Sequence, residues 1–274
     1  MVKFWCCLFG LGEKKMELTE KQKERYARHI VLEGVGEEGQ KKLLQARVLI
    51  IGAGGLGSPA ALYLAAAGVG TIGIADADEV DLSNLQRQIL HGTADVGKAK
   101  VKSAEETLKR RNPDVTVRAC QQFVTGENIM ELISGYDFIL DATDNFDTKF
   151  LINDACVLAK KPFCHAGISR FGGQLLTYVP GKGPCYRCVF KNPPPKDAVP
   201  TGKQAGIIGA VAGVIGSLEA MEAMKYMLGV GELLTGQLLI YDALKQEFRK
   251  VKLPEHTEDC AVCGTHPTIT KPGG

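Results

Sequence analysis

The stretch RVLIIGAGGLG at 47–57 indicates how the chain folds. RVLII has the length and the apolar, β-branched content of a buried strand, and the apolar residues 59–67 predict a helix just beyond the glycines. Glycines at such a turn let backbone N–H groups approach a phosphate that a Cβ would hold away, and the helix N-terminus adds partial positive charge. The stretch therefore predicts a phosphate-binding strand–turn–helix unit, a unit that dinucleotide dehydrogenases also use.

Strands and helices alternate on either side of this unit. Thr19 and Gln22 have the spacing of a capping box, so a helix is predicted to begin there and to run toward Leu44. The other elements predicted before residue 172 are strands at 71–75, 115–119 and 137–142 and helices at 98–111 and between the last two strands. The alternation predicts an α/β fold with a Rossmann-like, mostly parallel sheet that carries helices on both faces.

The pattern changes from residue 172 onward. The segments GGQLLTYV, QLLIYDAL and EFRKVKL predict antiparallel strands, and one apolar helix is predicted at 207–228. A loop rich in proline and glycine, at 180–206, precedes that helix. The C-terminal third is therefore expected to extend the same compact α/β unit.

The composition argues against several classes of protein. With 45% hydrophobic and 23% charged residues among 274, the chain can bury a substantial core. A formal charge of +2 without a basic block argues against binding to nucleic acid or to an anionic membrane. The apolar run at 4–11 is short and lacks a cleavage site, and the uncharged run at 207–218 is too short to span a bilayer. We therefore expect neither a nucleic-acid nor a membrane partner.

Nine cysteines in a chain of this length do not indicate a disulfide scaffold. Four of them form two CxxC pairs, Cys185 with Cys188 and Cys260 with Cys263. Two such pairs can supply four thiolates to a tetrahedral Zn²⁺ in a closed, structural site, and two unrelated redox pairs are the alternative. Metal-binding thiolates indicate a reducing compartment, and we expect the cytoplasm.

Polar and charged side chains gather at the carboxyl ends of the predicted strands. Asp76 ends the second strand, where a carboxylate accepts hydrogen bonds from ribose hydroxyls. The residues that follow at the same edge are Asp78, Asn84, Arg87, Gln88, Lys100, Asp144 and Asn145. Cations placed there suit an enzyme that breaks a triphosphate, because they stabilise charge at the α-phosphate, and a carboxylate can hold Mg²⁺. Alternatively, Arg87 and Lys100 are solvated surface charges and Asp144 is a helix N-cap.

Together these motifs resemble the MoeB/ThiF/HesA group, bacterial relatives of the ubiquitin-activating enzymes. The resemblance rests on GAGGLGS, on the D-x-D-x-V-x-x-S-N-L-x-R-Q run that ends at Gln88, on the lysine of GKAK, on the TDN triplet and on RYARHI at 25–30. It extends from Thr19 to Gly264 and implies one adenylation domain.

The resemblance also implies how the chain is divided. The nucleotide-binding part would be 46–170, and the part that binds a carrier protein and zinc would be 171–264. Loose tails are expected at 1–18 and 265–274.

Roles for individual residues follow from the resemblance. Asp76 would bind the ribose, Lys100 the phosphates and Asp144 the Mg²⁺. Arg28 would reach the triphosphate of a neighbouring subunit, which implies a homodimer, and His29 stands where the group usually has glutamine. The implied nucleotide-binding set is Gly52, Gly54, Gly55, Gly57, Asp76, Asp78, Ser83, Asn84, Leu85, Gln86, Arg87, Lys100, Asp144 and Asn145.

The activity that the resemblance implies is ATP-dependent adenylation of the C-terminal glycine carboxylate of a ubiquitin-like sulfur carrier ending in Gly-Gly. Pyrophosphate would be released, and the pathway would be molybdopterin or thiamin biosynthesis. ThiF-like members can capture the carrier with a cysteine that aligns with about Gly202, but no cysteine lies between Cys188 and Cys260. A separate sulfur donor is therefore expected. The alternatives are adenylation of a tRNA-linked carboxylate or a peptide, an NAD-dependent dehydrogenase, and a zinc-stabilised nucleotide-sensing scaffold.

Overall fold

The computed structural model describes residues 16–195, 198, 202–255 and 257–273. Most of the predicted N-terminal tail, with Cys6 and Cys7, lies outside the described residues, as do the last residue of the C-terminal tail and part of the loop at 180–206.

A single sheet of eight strands organises the described part of the chain. The strands are β1 Arg47–Ile51, β2 Thr71–Ala75, β3 Thr116–Cys120, β4 Phe138–Asp141, β5 Phe163–Ser169, β6 Gly172–Tyr178, β7 Gln237–Asp242 and β8 Glu247–Lys252. Their order across the sheet is β3-β2-β1-β4-β5-β6-β7-β8. The first five in this order pair in parallel, and the last three continue the sheet in antiparallel fashion. The predicted mostly parallel sheet with C-terminal antiparallel strands is confirmed.

Helices cover both faces of this sheet. Within the described residues they are α1 Glu20–Arg25, α2 Ala27–Ile30, α3 Gly36–Gln45, α4 Gly57–Ala67, α5 Lys100–Arg111, α6 Ile129–Ser134, α7 Phe146–Leu158, α8 Tyr186–Val189, α9 Gly202–Ala205 and α10 Gly209–Leu228. Most predicted elements begin or end within two residues of these bounds. The loop predicted at 180–206 contains two of the short helices, α8 and α9.

The core divides into two halves because the side chains of β1 alternate between the faces of the sheet. Val48 and Ile50 pack in the half that contains α4, α5 and α10. Leu49 and Ile51 pack in the half that contains α6 and α7. All four β1 side chains are buried. Strand order reverses between β1 and β4, so a crevice opens at their carboxyl ends, where ligands of such sheets bind.

The single helix predicted from Thr19 toward Leu44 is wrong, although its start is confirmed. Thr19 and Gln22 do form a capping box. The chain then leaves the helix at Tyr26, whose ring is buried beneath Gly68 and whose hydroxyl accepts a hydrogen bond from Asn112 Nδ2 at 2.8 Å. Gly34, with a φ of 81°, begins a second break before α3. Tertiary packing therefore divides a segment whose local pattern is continuous.

Helix α10 is apolar over much of its length and lies against α4 and the centre of the sheet. Glu219 and Glu222 are nonetheless buried in it, and Glu222 accepts hydrogen bonds from Thr177 Oγ1 at 2.6 Å and from the Leu234 N–H at 2.9 Å. None of the helices in the described ranges is long and apolar enough to cross a membrane.

The contact between α10 and α4 predicts opposite effects for two glycines one turn apart. A Cβ at Gly216 would lie 2.3 Å from Leu56 O, whereas a Cβ at Gly213 would meet nothing within 4 Å. We expect Gly216→Ala to lower the free energy of unfolding by about 1–3 kcal/mol through overpacking. Gly213→Ala should raise it by up to about 1 kcal/mol, because alanine favours the helix. Urea unfolding of both variants checks this, and an equal response would contradict the packing described here.

Candidate nucleotide site and metal centre

The glycine-rich turn fills the gap between β1 and α4 so closely that two of its glycines are required by the fold. Gly52 has a φ of 102°, and a Cβ on it would lie 2.7 Å from Ala142 O. A Cβ on Gly57 would lie 1.9 Å from Gly52 O. Gly54 differs, because its Cβ would meet only Gln88 Nε2, at the ordinary distance of 3.7 Å. Packing does not explain the glycine at 54, whereas the approach of a ligand to the backbone does.

Asp76, directly after β2, is fixed by the backbone on both sides. Its Oδ2 accepts the Ala53 N–H at 2.8 Å, and its Oδ1 accepts the Asp78 N–H at 2.8 Å. These bonds join the end of β2 to the glycine turn. The carboxylate is thereby oriented at the edge of the crevice, and each of its oxygens keeps further accepting capacity.

Lys100, the first residue of α5, is buried and points back at the same edge. Its Nζ lies 2.8 Å from Asp78 Oδ2 and 3.9 Å from Asp76 Oδ2. A lysine that is only 5% exposed is expensive to bury without such partners. The alternative that Lys100 is a solvated surface charge is therefore wrong.

Arg87 follows a 3₁₀ helix at Leu82–Asn84 and lies at the same crevice as these groups. Its Nη1 donates to Ser83 O at 3.2 Å, and Asp81 Oδ1 accepts from the Ser83 N–H at 2.8 Å. In the described ranges no carboxylate forms an ion pair with Arg87. A backbone carbonyl holds the guanidinium in place, so its positive charge remains available to an anion.

The TDN triplet follows β4 and leads into α7. Asn145 is the N-cap, because its Oδ1 accepts the Thr148 N–H at 2.9 Å. The alternative that Asp144 is the N-cap is therefore wrong. Asp144 is exposed and lines the crevice, so its carboxylate oxygens are free of the helix terminus.

These residues surround one cavity of about 1110 Å³. The predicted residues that line it are Gly52, Gly54, Gly55, Asp76, Asp78, Ser83, Asn84, Arg87, Lys100, Asp144 and Asn145. The volume is slightly above the roughly 300–1,000 Å³ typical of small-molecule sites, so it has room for a nucleotide together with part of a second substrate.

Four residues of the predicted site do not line this cavity: Gly57, Leu85, Gln86 and Arg28. Gly57 is instead required for the close packing of the turn against Gly52 O. Gln86 is exposed. Arg28 is exposed on α2.

A buried polar cluster that the sequence analysis missed lies in the wall of the cavity. Asp141, the last residue of β4, is fully buried. His165 Nδ1 lies 2.8 Å from Asp141 Oδ2, and Lys149 Nζ lies 3.3 Å from the same oxygen and 2.7 Å from Ala166 O. Thr143 Oγ1 donates to Asp141 Oδ1 at 2.6 Å. We call Asp141, Thr143, Lys149 and His165 the strand-end cluster. The signals in the sequence were Asp141 at the end of the apolar run FIL and His165 beside apolar residues in FCHAGIS.

The charges within the strand-end cluster follow from its burial. Burial alone would raise the pKa of Asp141, but the Lys149 ammonium and the hydrogen bond from His165 lower it to about 2. Burial lowers the pKa of His165, and the charge of Lys149 lowers it further. At neutral pH Asp141 is therefore a carboxylate and His165 a neutral imidazole.

The four predicted zinc ligands lie together where α8 meets the segment after β8. The Sγ atoms of Cys185, Cys188, Cys260 and Cys263 all lie within 4.8 Å of one another. The Sγ–Sγ distances of the contacting pairs are between 3.4 and 3.9 Å. A tetrahedron with Zn–S bonds of about 2.3 Å has S–S edges of about 3.8 Å, so the four thiolates fit one ion. Their convergence argues against two separate redox pairs.

A family model described as the ThiF family matches residues 26–262. The chain belongs to the ThiF family. The resemblance found in the motifs is thus confirmed over nearly the whole described chain.

Relatives within the family are similar over most of this chain. A sulfur carrier protein adenylyltransferase from Thermus thermophilus is 46% identical over 92% of the chain and 95% of its own length. The MOCS3 adenylyltransferase and sulfurtransferase of Aedes aegypti is 45% identical over 93% of the chain. A probable adenylyltransferase/sulfurtransferase, MoeZ, from Mycobacterium tuberculosis is 46% identical over 89% of the chain. The chain spans only 58% of the MOCS3 protein and 63% of MoeZ.

Solved structures with this ThiF-family fold include E. coli MccB bound to MccA-N7isoASN. It superposes with a TM-score of 0.74 at 24% identity, over 88% of this chain and 74% of that one. PaaA superposes with a TM-score of 0.74, also at 24% identity, over 86% and 84% of the two chains. At this identity the likeness shows the fold alone.

The four-cysteine cluster predicts that this ThiF-family protein carries about one zinc ion per chain. Cys260→Ser should lower the metal content and the melting temperature, because it removes one ligand of a closed structural site. Cys120→Ser, half-buried at the end of β3, is the matched control and should keep the ion. Elemental analysis of the purified variants measures this. Equal zinc content in the two variants would contradict the assignment.

Proposed function

We propose that the protein adenylates the C-terminal carboxylate of a ubiquitin-like sulfur carrier protein that ends in Gly-Gly, with ATP as the AMP donor and pyrophosphate as the leaving group. The observation that carries this proposal is the meeting of Arg87, Lys100 and Asp144 around one cavity beside the glycine turn. Hydride transfer would not require these groups, whereas attack on a triphosphate does.

The nucleotide would bind with its phosphates against the glycine turn. Gly54 leaves the backbone accessible there, and α4 begins shortly afterwards, so its N-terminal partial charge would face the phosphates. Asp76, already oriented by two backbone N–H groups, would accept the ribose hydroxyls. The turn would thus hold the phosphates at the end of β1, and Asp76 would hold the ribose at the end of the adjacent strand, β2.

The reaction must bring one anion to another. A carboxylate that approaches the α-phosphate is repelled by like charge, so positive side chains fixed beforehand lower the barrier. Arg87 is held by Ser83 O and has no carboxylate partner among the residues that the structure describes, and the buried Lys100 can exchange Asp78 for phosphate. No general base is required, because the attacking carboxylate is already ionised at neutral pH.

A magnesium ion would be held by Asp144, whose exposed carboxylate lines the cavity next to the predicted phosphate position. Oxygen ligands are those that Mg²⁺ prefers, and it commonly binds through one or two carboxylates together with substrate phosphates. Bound there, the ion would add positive charge to the triphosphate.

The names of the relatives support a sulfur carrier as acceptor. The Thermus thermophilus protein that is 46% identical and matched along nearly its entire length is a sulfur carrier protein adenylyltransferase. This favours the carrier over a tRNA-linked carboxylate or a peptide. The part at 171–264 would bind the carrier. Molybdopterin and thiamin biosynthesis both remain consistent with the proposal.

We further infer that sulfur comes from a separate donor. Of the cysteines outside the metal cluster, Cys156 and Cys164 are fully buried, and burial raises the pKa of both thiols. Burial also raises the pKa of Cys120. Protonated thiols are poor nucleophiles, so these residues do not suit capture of the activated carrier. Zinc is the ion proposed for the four other thiolates, which fits a reducing compartment such as the cytoplasm.

A homodimer is part of the proposal, because Arg28 is exposed and does not line the cavity of its own chain. Val31 and Leu32, just beyond it, expose 75% and 54% of their surface. Exposed apolar side chains beside a charged residue fit an interface that delivers Arg28 to the partner's nucleotide.

The mechanism predicts that Asp144→Ala lowers carrier-dependent exchange of labelled pyrophosphate into ATP by about 10²–10³-fold, because the triphosphate loses the magnesium ion that offsets its negative charge. Asp114→Ala is the control, since Asp114 is exposed and lies outside the cavity. Unchanged exchange in the Asp144 variant would refute the proposed function.

The shared site predicts complementation between two defective chains. Arg28→Ala and Asp144→Ala should each be inactive alone. After subunit exchange, a mixed dimer has one site with both defects and one with neither, so about a quarter of wild-type exchange activity should return at random mixing. Pyrophosphate exchange measured before and after mixing tests this. Activity that stays at the level of the separate variants would show that Arg28 does not act across an interface.

A further inference from the structure

His165 carries a nitrogen that nothing in the described part of the chain satisfies. Its ring is 1% exposed, and its Nδ1 is bonded to Asp141 Oδ2. Its Nε2 is buried without a hydrogen-bond partner. A buried polar atom without a partner is costly, so a residue kept in this state points to a partner that arrives from outside.

His165 is one of the residues that line the cavity, although its Nε2 is buried. Gly167 and Gln174 line the cavity as well, and a Cβ built on Gly167 would lie 3.9 Å from His165 Nε2. Because residue 167 is glycine, no Cβ stands beside the nitrogen at this point. On its other side the ring packs against Tyr186, with 4.4 Å between the ring centroids.

The hydrogen-bonding partner of Nδ1 decides what Nε2 can do. Asp141 is ionised and can only accept, so Nδ1 carries the proton. Burial keeps the pKa of His165 low, so the ring is neutral and Nε2 presents a lone pair. The site therefore selects a donor and repels a carboxylate.

We propose that His165 Nε2 accepts a hydrogen bond from a peptide N–H in the C-terminal segment of the carrier. This holds the segment in the register that places its terminal carboxylate at the nucleotide. The inference rests on the proposed function, and it deepens that function by assigning a binding residue for the second substrate.

The chemistry of the tail supports this partner over others. The terminal carboxylate has no donor and would meet the lone pair of Nε2 with the Asp141 charge behind it. Each peptide bond before it offers an N–H, and a tail of glycines has no side chains to hold it away from the wall that Gly167 and Gly172 line. The N–H that reaches His165 must therefore precede the reacting carboxylate.

A double-mutant cycle tests the contact. Carriers are prepared in which each of the last three peptide bonds is replaced in turn by an ester, which removes one N–H. Carrier kcat/KM in pyrophosphate exchange is measured with wild-type enzyme and with His165→Phe. We expect one ester position to lower the wild-type value by about tenfold, the size of one lost hydrogen bond, and to have little further effect in His165→Phe. His165→Asn, which keeps an acceptor, should recover part of the loss, and the KM for ATP should not change.

A second variant keeps the test valid if the ring substitution impairs folding. Gly167→Ala places its Cβ at ordinary contact distances, 3.6 Å from Gln174 Cγ and 3.9 Å from His165 Nε2, so the fold should tolerate it while the approach to Nε2 is filled. It should raise the KM for the carrier and leave the KM for ATP unchanged. Gly135→Ala, where a Cβ meets nothing within 4 Å, is the control.

The outcomes separate the two proposals. If wild-type enzyme shows no carrier-dependent exchange, the proposed function fails. If exchange occurs but every ester causes the same loss in wild-type and His165→Phe enzymes, only the role of His165 is overturned.

Discussion

The turn after β1 is joined by backbone hydrogen bonds to the ends of both neighbouring strands, and the whole site depends on these bonds. The Gly52 N–H donates to Ala75 O at 2.9 Å, and the Ala142 N–H donates to Ile51 O at 3.0 Å. A side chain at 52 would strike Ala142 O. Because these hydrogen bonds are between backbone atoms, the ends of β1, β2 and β4 have a fixed spacing. The side chains that follow these strands are therefore preorganised.

The four-cysteine cluster is connected to the candidate nucleotide cavity through the ring of Tyr186. Cys185 is the N-cap of α8, so the next residue, Tyr186, takes its position from the four-thiolate cluster. Its N–H donates to Asn153 Oδ1 at 2.8 Å, and its ring packs on His165. A structural ion can thus fix one wall of the cavity without taking part in the chemistry, which gives the predicted zinc site a role in function as well as in stability.

The sequence was most informative where a few adjacent residues determine the geometry. The strand–turn–helix at 47–67 and the two CxxC pairs are local patterns, and the structure contains both. The strand-end cluster is different, because Asp141 meets residues 8 and 24 positions away, on α7 and β5. Those contacts depend on the register of parallel strands, which no local pattern specifies. The break at Tyr26 was missed for the same reason, since only the ring's burial beneath Gly68 explains it.

In the proposed reaction a carboxylate attacks the α-phosphorus of ATP in this cavity. The most direct test uses a carrier whose C-terminal carboxylate is labelled with ¹⁸O. Attack at the α-phosphorus, followed by hydrolysis of the acyl-adenylate at its carbonyl carbon, transfers one label to AMP, and mass spectrometry of the nucleotide should detect it. Unlabelled AMP, or label in inorganic phosphate accompanied by ADP, would contradict the account.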